Sequence, residues 1–269
     1  MEYHNMVLNL DMVDLKSKRS KNQVNQKYKL VDGKYFEDIN KTLYQIEALY
    51  DFGYVKKGER GGWIESESNL DAKGNAWICE NAKVYRNARV YGGAVVCGNA
   101  KVYGDARVYG NSHVDSNAMV CENAEVYGDT DVYGNAKVCG NAKVHGNTEV
   151  CGDAIVYGNS EVCEGSEIFG DAKVYGNAII GGNSWVFGNA KVYGNSRVAG
   201  NARVFEDAEI FEYAMVFGDT KVYGNSKVAG DARVSGKVDV YGLAKIYGDV
   251  FITGKSSIYG NIEIYRNTE

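Results

Sequence analysis

Every sixth residue from Ile78 to Ile264 is Val or Ile, thirty-two times in succession, without one insertion or deletion. In the unit Ala172-Lys173-Val174-Tyr175-Gly176-Asn177, Val174 fills a large slot and Ala172, two residues earlier, a small one. From Ala82 to Ala232 the small slot is always Ala, Ser or Thr. Slots two apart share one face of an extended chain, so Ala and Val point one way while Lys and Tyr point the other. Gly-Asn or Gly-Asp then ends each strand, because both residue types tolerate the backbone of a tight corner. A helix is excluded: a period of six leaves Val on no single helical stripe, and Gly recurs almost every turn.

A four-residue strand with a two-residue corner has no core of its own. Three such units close a triangle, and stacked triangles bury the Val and Ala columns, which is how hexapeptide repeats build parallel β-helices. Thirty-two units at three per coil give nearly eleven coils. At ~4.8 Å per coil the rod is about 50 Å long. Each buried Val contributes roughly 1.5–3 kcal/mol, and stability accumulates along the axis because each coil touches mainly its neighbours. The unbroken register and the corner residues favour this solenoid over an aggregating cross-β array. The fold class expected is therefore all-β, a three-sided parallel β-helix of about 11 coils with a small N-terminal cap.

Proline is absent, as suits strands that need their N–H groups on both sides. The net charge of −5 argues against general nucleic-acid binding. No apolar run reaches the length of a membrane span and no signal peptide is visible, so a cytoplasmic protein is expected. All six cysteines, Cys79, Cys97, Cys121, Cys139, Cys151 and Cys163, stand just after a large slot and should face outward. Cys79 and Cys97 stack on adjacent coils, as do Cys121 and Cys139. Disulfides are open to them, but reduced thiols in a cytosol are the expectation.

Three regions follow in order: an arm and linker over 1–26, a β-rich cap over 27–75, and the repeats over 76–269. The arm carries the basic run Lys16 to Asn22, read as a solvated tail. In the cap, Asp32-Gly33 reads as a hairpin turn and Leu43 to Tyr50 as a strand. Gly58, Gly61 and Gly62 mark a tight passage into Trp63, which is placed to close the tube. The cap is needed because an uncovered first coil offers unpaired backbone groups to other chains. Larger small-slot residues, Val238, Val250 and Ile262, imply wider or skewed last coils.

Three stretches, Asp51 to Gly58, Gly61-Gly62-Trp63-Ile64-Glu65 and Gly74-Asn75-Ala76-Trp77-Ile78, resemble the lead-in of YdcK-like proteins of bacteria and phages. The resemblance covers roughly 27–265. It implies a left-handed β-helix and places the chain near the hexapeptide acyltransferases, with acetyl-CoA or another acyl-CoA as donor if it is an enzyme. It brings no assigned catalytic residues.

Function must lie on the outer walls and ends. One wall stacks Lys83, Lys101, Lys173 and Lys191 beside Tyr85, Tyr103, Tyr175 and Tyr193. Cations beside stacking rings suit a small anionic ligand such as a nucleotide; the plainer reading is that the rings protect the sheet while the lysines keep it soluble. A second wall stacks Asp131, Glu149 and Glu167, a candidate cation site; pairing with nearby lysines is the plainer account. Outward Trp185 and Phe187, and the group Ile179, Met215 and Phe217, point to self-association or another partner, as do the coil ends. Hexapeptide acyltransferases use a His as general base. His4 lies in the arm, and His113 and His145 share no column, which leaves His145, between Tyr127 and Cys163, as the one candidate base. The leading expectation is a non-catalytic solenoid, scaffold or binding protein, with no cofactor; an acyltransferase and a nucleotide-sequestering protein are the alternatives.

Overall fold

The computed structural model describes residues 26–266. They form a parallel β-solenoid of about 11 coils. Its strands run in three sheets of fourteen, eleven and ten strands, and strand neighbours are parallel throughout the repeats. Each repeat residue pairs with the one eighteen positions on: Lys173 with Lys191 and Val174 with Val192. The coil is therefore three hexads long, as the spacing predicts. Backbone bonding continues through the corners. Lys173 N–H donates to Ala190 O at 2.9 Å, Tyr175 to Val192 at 3.0 Å, and the corner residue Asn177 to Gly194 at 2.7 Å.

The Val and Ala columns from Ile78 to Ile246 have no solvent exposure. Ser and Thr in the small slot are buried as well, and each hydroxyl finds a carbonyl three residues back. Ser184 donates to Gly181 O at 2.7 Å and Thr148 to His145 O at 2.6 Å. That bond removes the penalty of burying a hydroxyl. It also explains why Ser and Thr can replace Ala there.

The cap consists of three antiparallel strands, β1 (Tyr28–Phe36), β2 (Lys41–Ala48) and β3 (Arg60–Ile64). β3 then pairs parallel with Lys83–Val84 and joins the cap to the largest sheet. Asp32-Gly33 is not the hairpin turn expected: β1 runs through it, with a register shift between Leu30 and Gly33. The glycine serves a bulge. The reversal comes later, at a 3-10 turn over Glu37–Ile39 closed by Asn40, whose φ is 52°. β2 accordingly starts two residues earlier than the strand expected at Leu43. Gly61 and Gly62 mark a close approach, as their spacing suggested. A Cβ on Gly61 would sit 2.4 Å from Ile78 O, and one on Gly62 2.6 Å from Ala82 O.

Trp63 does not close the tube. It lies outward on β3, half-buried, edge-on to Phe36 at 5.2 Å. The plug is made by Tyr28, Ile46, Ile64 and Leu70, all buried. Beside them the Lys27 ammonium is buried and donates to the carbonyls of Lys73, Gly74 and Ala76 at 3.2, 3.2 and 2.7 Å. It bonds carbonyls of the first coil, which among the described residues has no coil before it. Burial lowers its pKa from 10.5 to about 8, against a smaller upward pull from Asp71. Asn69, also buried, makes the matching closure: its side chain donates to Arg86 O and Ala88 O, both at 2.9 Å.

The thiol expectation is corrected for four of the six cysteines. Cys79–Cys97 and Cys121–Cys139 are disulfides, with Cα atoms 4.7 Å apart in both. Stacking on adjacent coils places them within the ordinary disulfide range. Cys151 and Cys163 are free. Cys121, in its outward slot, is nonetheless buried. At the other end the tube loosens. Ile252, Ile258 and Ile264 are only partly buried, and Ile262 is exposed where the small slot has grown. The arm, with its basic run and His4, lies outside the described residues.

Candidate functional site

The strand geometry stacks each outward residue on its counterpart one coil away. The slot after Val holds aromatic ladders on all three walls. Tyr91, Tyr109, Tyr127 and His145 stack at 4.7–4.9 Å. Tyr157, Tyr175, Tyr193 and Phe211 do so at 4.8–5.1 Å. A third ladder climbs from Phe169 through Phe187, Phe205, Tyr223 and Tyr241 to Tyr259. The corners carry amide ladders: Asn123 donates to Asn141, Asn141 to Asn159, Asn159 to Asn177 and Asn177 to Asn195, at 2.8–3.0 Å. The hexad pattern alone predicts these asparagines only as chain-breakers. Their recurrence eighteen residues apart was the signal for the second role.

Of the Lys/Tyr wall, the lower part is occupied by the cap. Lys83 and Lys101 reach Asp38 at 3.6 and 2.8 Å, and Lys83 sits over the Phe36 ring at 4.1 Å. Tyr85 is buried under the cap, which pushes its hydroxyl up to about 12. Tyr103 stacks on it at 5.1 Å. Higher up, Lys191 pairs with Glu209 at 3.3 Å, while Tyr175 and Tyr193 stack in parallel at 4.8 Å. A shallow groove of about 700 Å³ runs past Lys137, Lys173 and Lys191, but Asp153 and Asp171 line it too, so its charge is mixed.

Asp131, Glu149 and Glu167 do stack by register. Two of their side chains turn to different partners. Asp131 lies 3.6 Å from His113, and Glu149 takes bonds from Tyr133 and from Cys151, the latter at 3.4 Å. Trp185 stands under the Arg203 guanidinium at 4.3 Å and beside Phe169. Ile179, Met215 and Phe217 are half-buried. A group of exposed apolar side chains lies instead near the C-terminal coils, at Leu243, Phe251, Tyr259 and Tyr265, while the most exposed of all, Tyr54, stands on the cap.

His145 has the most developed surroundings of the candidates. Its ring stacks on Tyr127 at 4.7 Å and 6°, and Nε2 lies 2.9 Å from Glu161 Oε1. Cys163 follows in the same column. Among the described residues, His145, Glu161 and Cys163 form the one group of three His, Cys or acidic donors within 4.8 Å of one another. Burial pushes the Cys163 thiol up to about 11, helped by Glu164 and Glu161. A thiol held protonated is a poor nucleophile. A separate cleft of about 490 Å³ separates the cap loop at Gly53–Val55 from the wall bearing Trp77, Asn111 and His113. The indole N–H of Trp77 is buried and meets no hydrogen-bond partner among the described residues.

A family model described as the YdcK β-solenoid repeat matches residues 100–115. The unit it matches recurs in unbroken register from Ile78 to Ile264, and the coordinates wind all of it into one tube. The repeat is thus similar to that of YdcK β-solenoid proteins over the residues matched. No curated protein matches it. Among solved structures, the Arabidopsis UDP-N-acetylglucosamine acyltransferase is similar to this solenoid at 16% identity, over 68% of this chain and 70% of that one, with a TM-score of 0.32. No helix of the solenoid, among its described residues, is long and apolar enough to cross a membrane.

Proposed function

We propose that the chain is a non-catalytic solenoid, a rigid scaffold or binding rod, with no cofactor of its own. One observation supports this most: its outward rings and corner amides pair with one another coil on coil. Rings stack on rings, corner amides bond to corner amides, and Glu209 bridges Lys191 and Lys227 at 3.3 Å each. Such ladders lengthen and stiffen a rod, and they engage the rings and corner amides that a substrate would otherwise meet.

A second reading, acyl transfer from acetyl-CoA, is favoured by one detail: His145 is oriented by Glu161 as a general base would be. The same bond recurs with phenols, Tyr109 to Glu125 at 3.4 Å and Tyr193 to Glu209 at 3.3 Å, so it belongs to the repeat before it belongs to any chemistry. A thermal-shift screen with acetyl-CoA, coenzyme A and nucleotides separates the readings. A ligand at a hundred times its Kd adds about 2.7 kcal/mol of stability. The rod reading expects no shift and no consumption of acetyl-CoA. Turnover that is lost in His145→Ala and kept in His113→Ala would replace it with the acyltransferase. A shift with nucleotides that is lost in Lys173→Ala and Tyr193→Ala would replace it with sequestration. Self-association through the apolar C-terminal coils is part of the proposal, and light scattering tests it.

A further inference from the structure

The Tyr91–Tyr109–Tyr127 ladder ends in an abrupt change of chemistry. After three phenols the column carries an imidazole, His145, then a thiol, Cys163, and then no side chain, at Gly181. Ring stacking explains His145 but neither residue after it. A Cβ built on Gly181 would lie 3.4 Å from Cys163 Sγ and 3.5 Å from a carboxylate oxygen of Glu164. The glycine therefore leaves a hollow beside the sulfur. Glu164 borders it while accepting the Gly182 N–H at 3.2 Å. Glu161 closes the opposite side, 2.9 Å from His145 Nε2. One nitrogen, one oxygen and one sulfur donor thus stand within 4.8 Å of one another, beside a second carboxylate.

We propose that His145, Glu161 and Cys163 bind a zinc-class divalent ion. Zinc takes all three donor types, and three protein ligands leave a fourth position to water. Bond lengths of 2.0–2.3 Å put tetrahedral ligands about 3.3–3.8 Å apart, so the widest-spaced donors, within 4.8 Å of each other, close by up to about an ångström while His145 and Glu161, at 2.9 Å, spread slightly. Glu161, half exposed, has room to swing, while stacking on Tyr127 holds the imidazole. Two carboxylates make the hollow attractive to a cation and unattractive to an anion. Harder ions are disfavoured by the sulfur and imidazole, which suit late first-row metals. The neighbouring wall supplies an internal control. Tyr133, Glu149 and Cys151 repeat the same spacing with a phenol where the imidazole stands, so a nitrogen donor is missing there. The inference leaves the scaffold role of the rod open and revises only its lack of a cofactor, because a bound ion is compatible with a scaffold and with an enzyme.

The test is a cobalt titration of the full chain, stripped with a chelator and kept free of reductant so that both disulfides persist. Cobalt bound by a thiolate gives a sulfur-to-metal charge-transfer band in the near ultraviolet. The expected result is a saturable band that zinc displaces, that Cys163→Ser abolishes and that Cys151→Ser leaves unchanged. His145→Tyr restores the ring that this column carries elsewhere, so the variant keeps its ladder. It and Glu161→Gln should each weaken binding roughly tenfold or more. A band that survives Cys163→Ser, or a chain with an intact circular-dichroism spectrum that gives no band, would overturn the proposal.

Discussion

At the scale of single residues the corner slot and the buried lysine give the sharpest predictions. Gly182 has φ of 65°, and a Cβ on it would lie 2.6 Å from Gly200 N. Gly254 has φ of 92° and nothing within 4 Å of its Cβ position. Both alanine substitutions carry the cost of a left-handed backbone, about 1–2 kcal/mol. Gly182→Ala adds a backbone clash, and denaturant unfolding should show it to be clearly the more destabilising of the two. Glu164, Glu206 and Glu212 occupy the same slot with φ of 57–59°. Glu206 and Glu212 offset that strain by accepting the N–H of Gly224 and Gly230, one coil on, at 2.8 and 2.6 Å.

Lys27 yields a pH dependence. Its charged form is disfavoured by burial, so between about 8 and 10.5 the unfolded chain holds a proton that the folded chain has released. Stability of the cap should therefore rise with pH across that window and be at its lower level below it. Fluorescence of Trp63 and Trp77 in a Trp185→Phe chain would follow the cap. The rise should vanish in Lys27→Met. None of this was visible in the sequence. Lys27 sits in an ordinary polar stretch, and its burial depends on the first coil having no predecessor.

Among the repeating elements, the ladders carry the energetics that the pattern left implicit. Asn159 accepts from Asn141 and donates to Asn177. At about 0.5–1.5 kcal/mol per net hydrogen bond, and less at an exposed corner, Asn159→Ala should cost about 1 kcal/mol. Adding Asn177→Ala should cost less than the sum of the singles, because the two share a bond. Strands and corners were legible because inward and outward slots alternate with a period of two, and a period of eighteen then fixes every column. The cap was less so. Asp32-Gly33 has turn chemistry, yet a bulge satisfies it equally well, and only the pairing of Tyr28–Phe36 with Lys41–Ala48 decides between the two. The candidate site lay between these cases. His145 and Cys163 share a column that counting reveals. Glu161 joins them from the neighbouring slot only because a side chain at that slot reaches the ring one coil below.

For the whole molecule, stability that accumulates coil by coil makes length an adjustable quantity. Deleting 172–189, one complete coil, rejoins Asp171 to Ala190 and keeps every column in place. That chain should fold with an unchanged sheet signature in circular dichroism and a rod shorter by about 4.8 Å in solution scattering. Deleting 172–180 puts Gly181 into a small slot and turns every later valine out of the tube. That chain should lose the cooperative transition.

The central claim is that alternate residues of each hexad face a closed interior, and thiol labelling at adjacent positions tests it most directly. In a chain carrying Cys151→Ser and Cys163→Ser, Lys173→Cys and Val174→Cys differ by one residue and by the whole wall of the tube. The account predicts that a cysteine at 173 reacts at once, and that one at 174 reacts only at the rate of unfolding. Equal labelling of the two in the folded chain would contradict it.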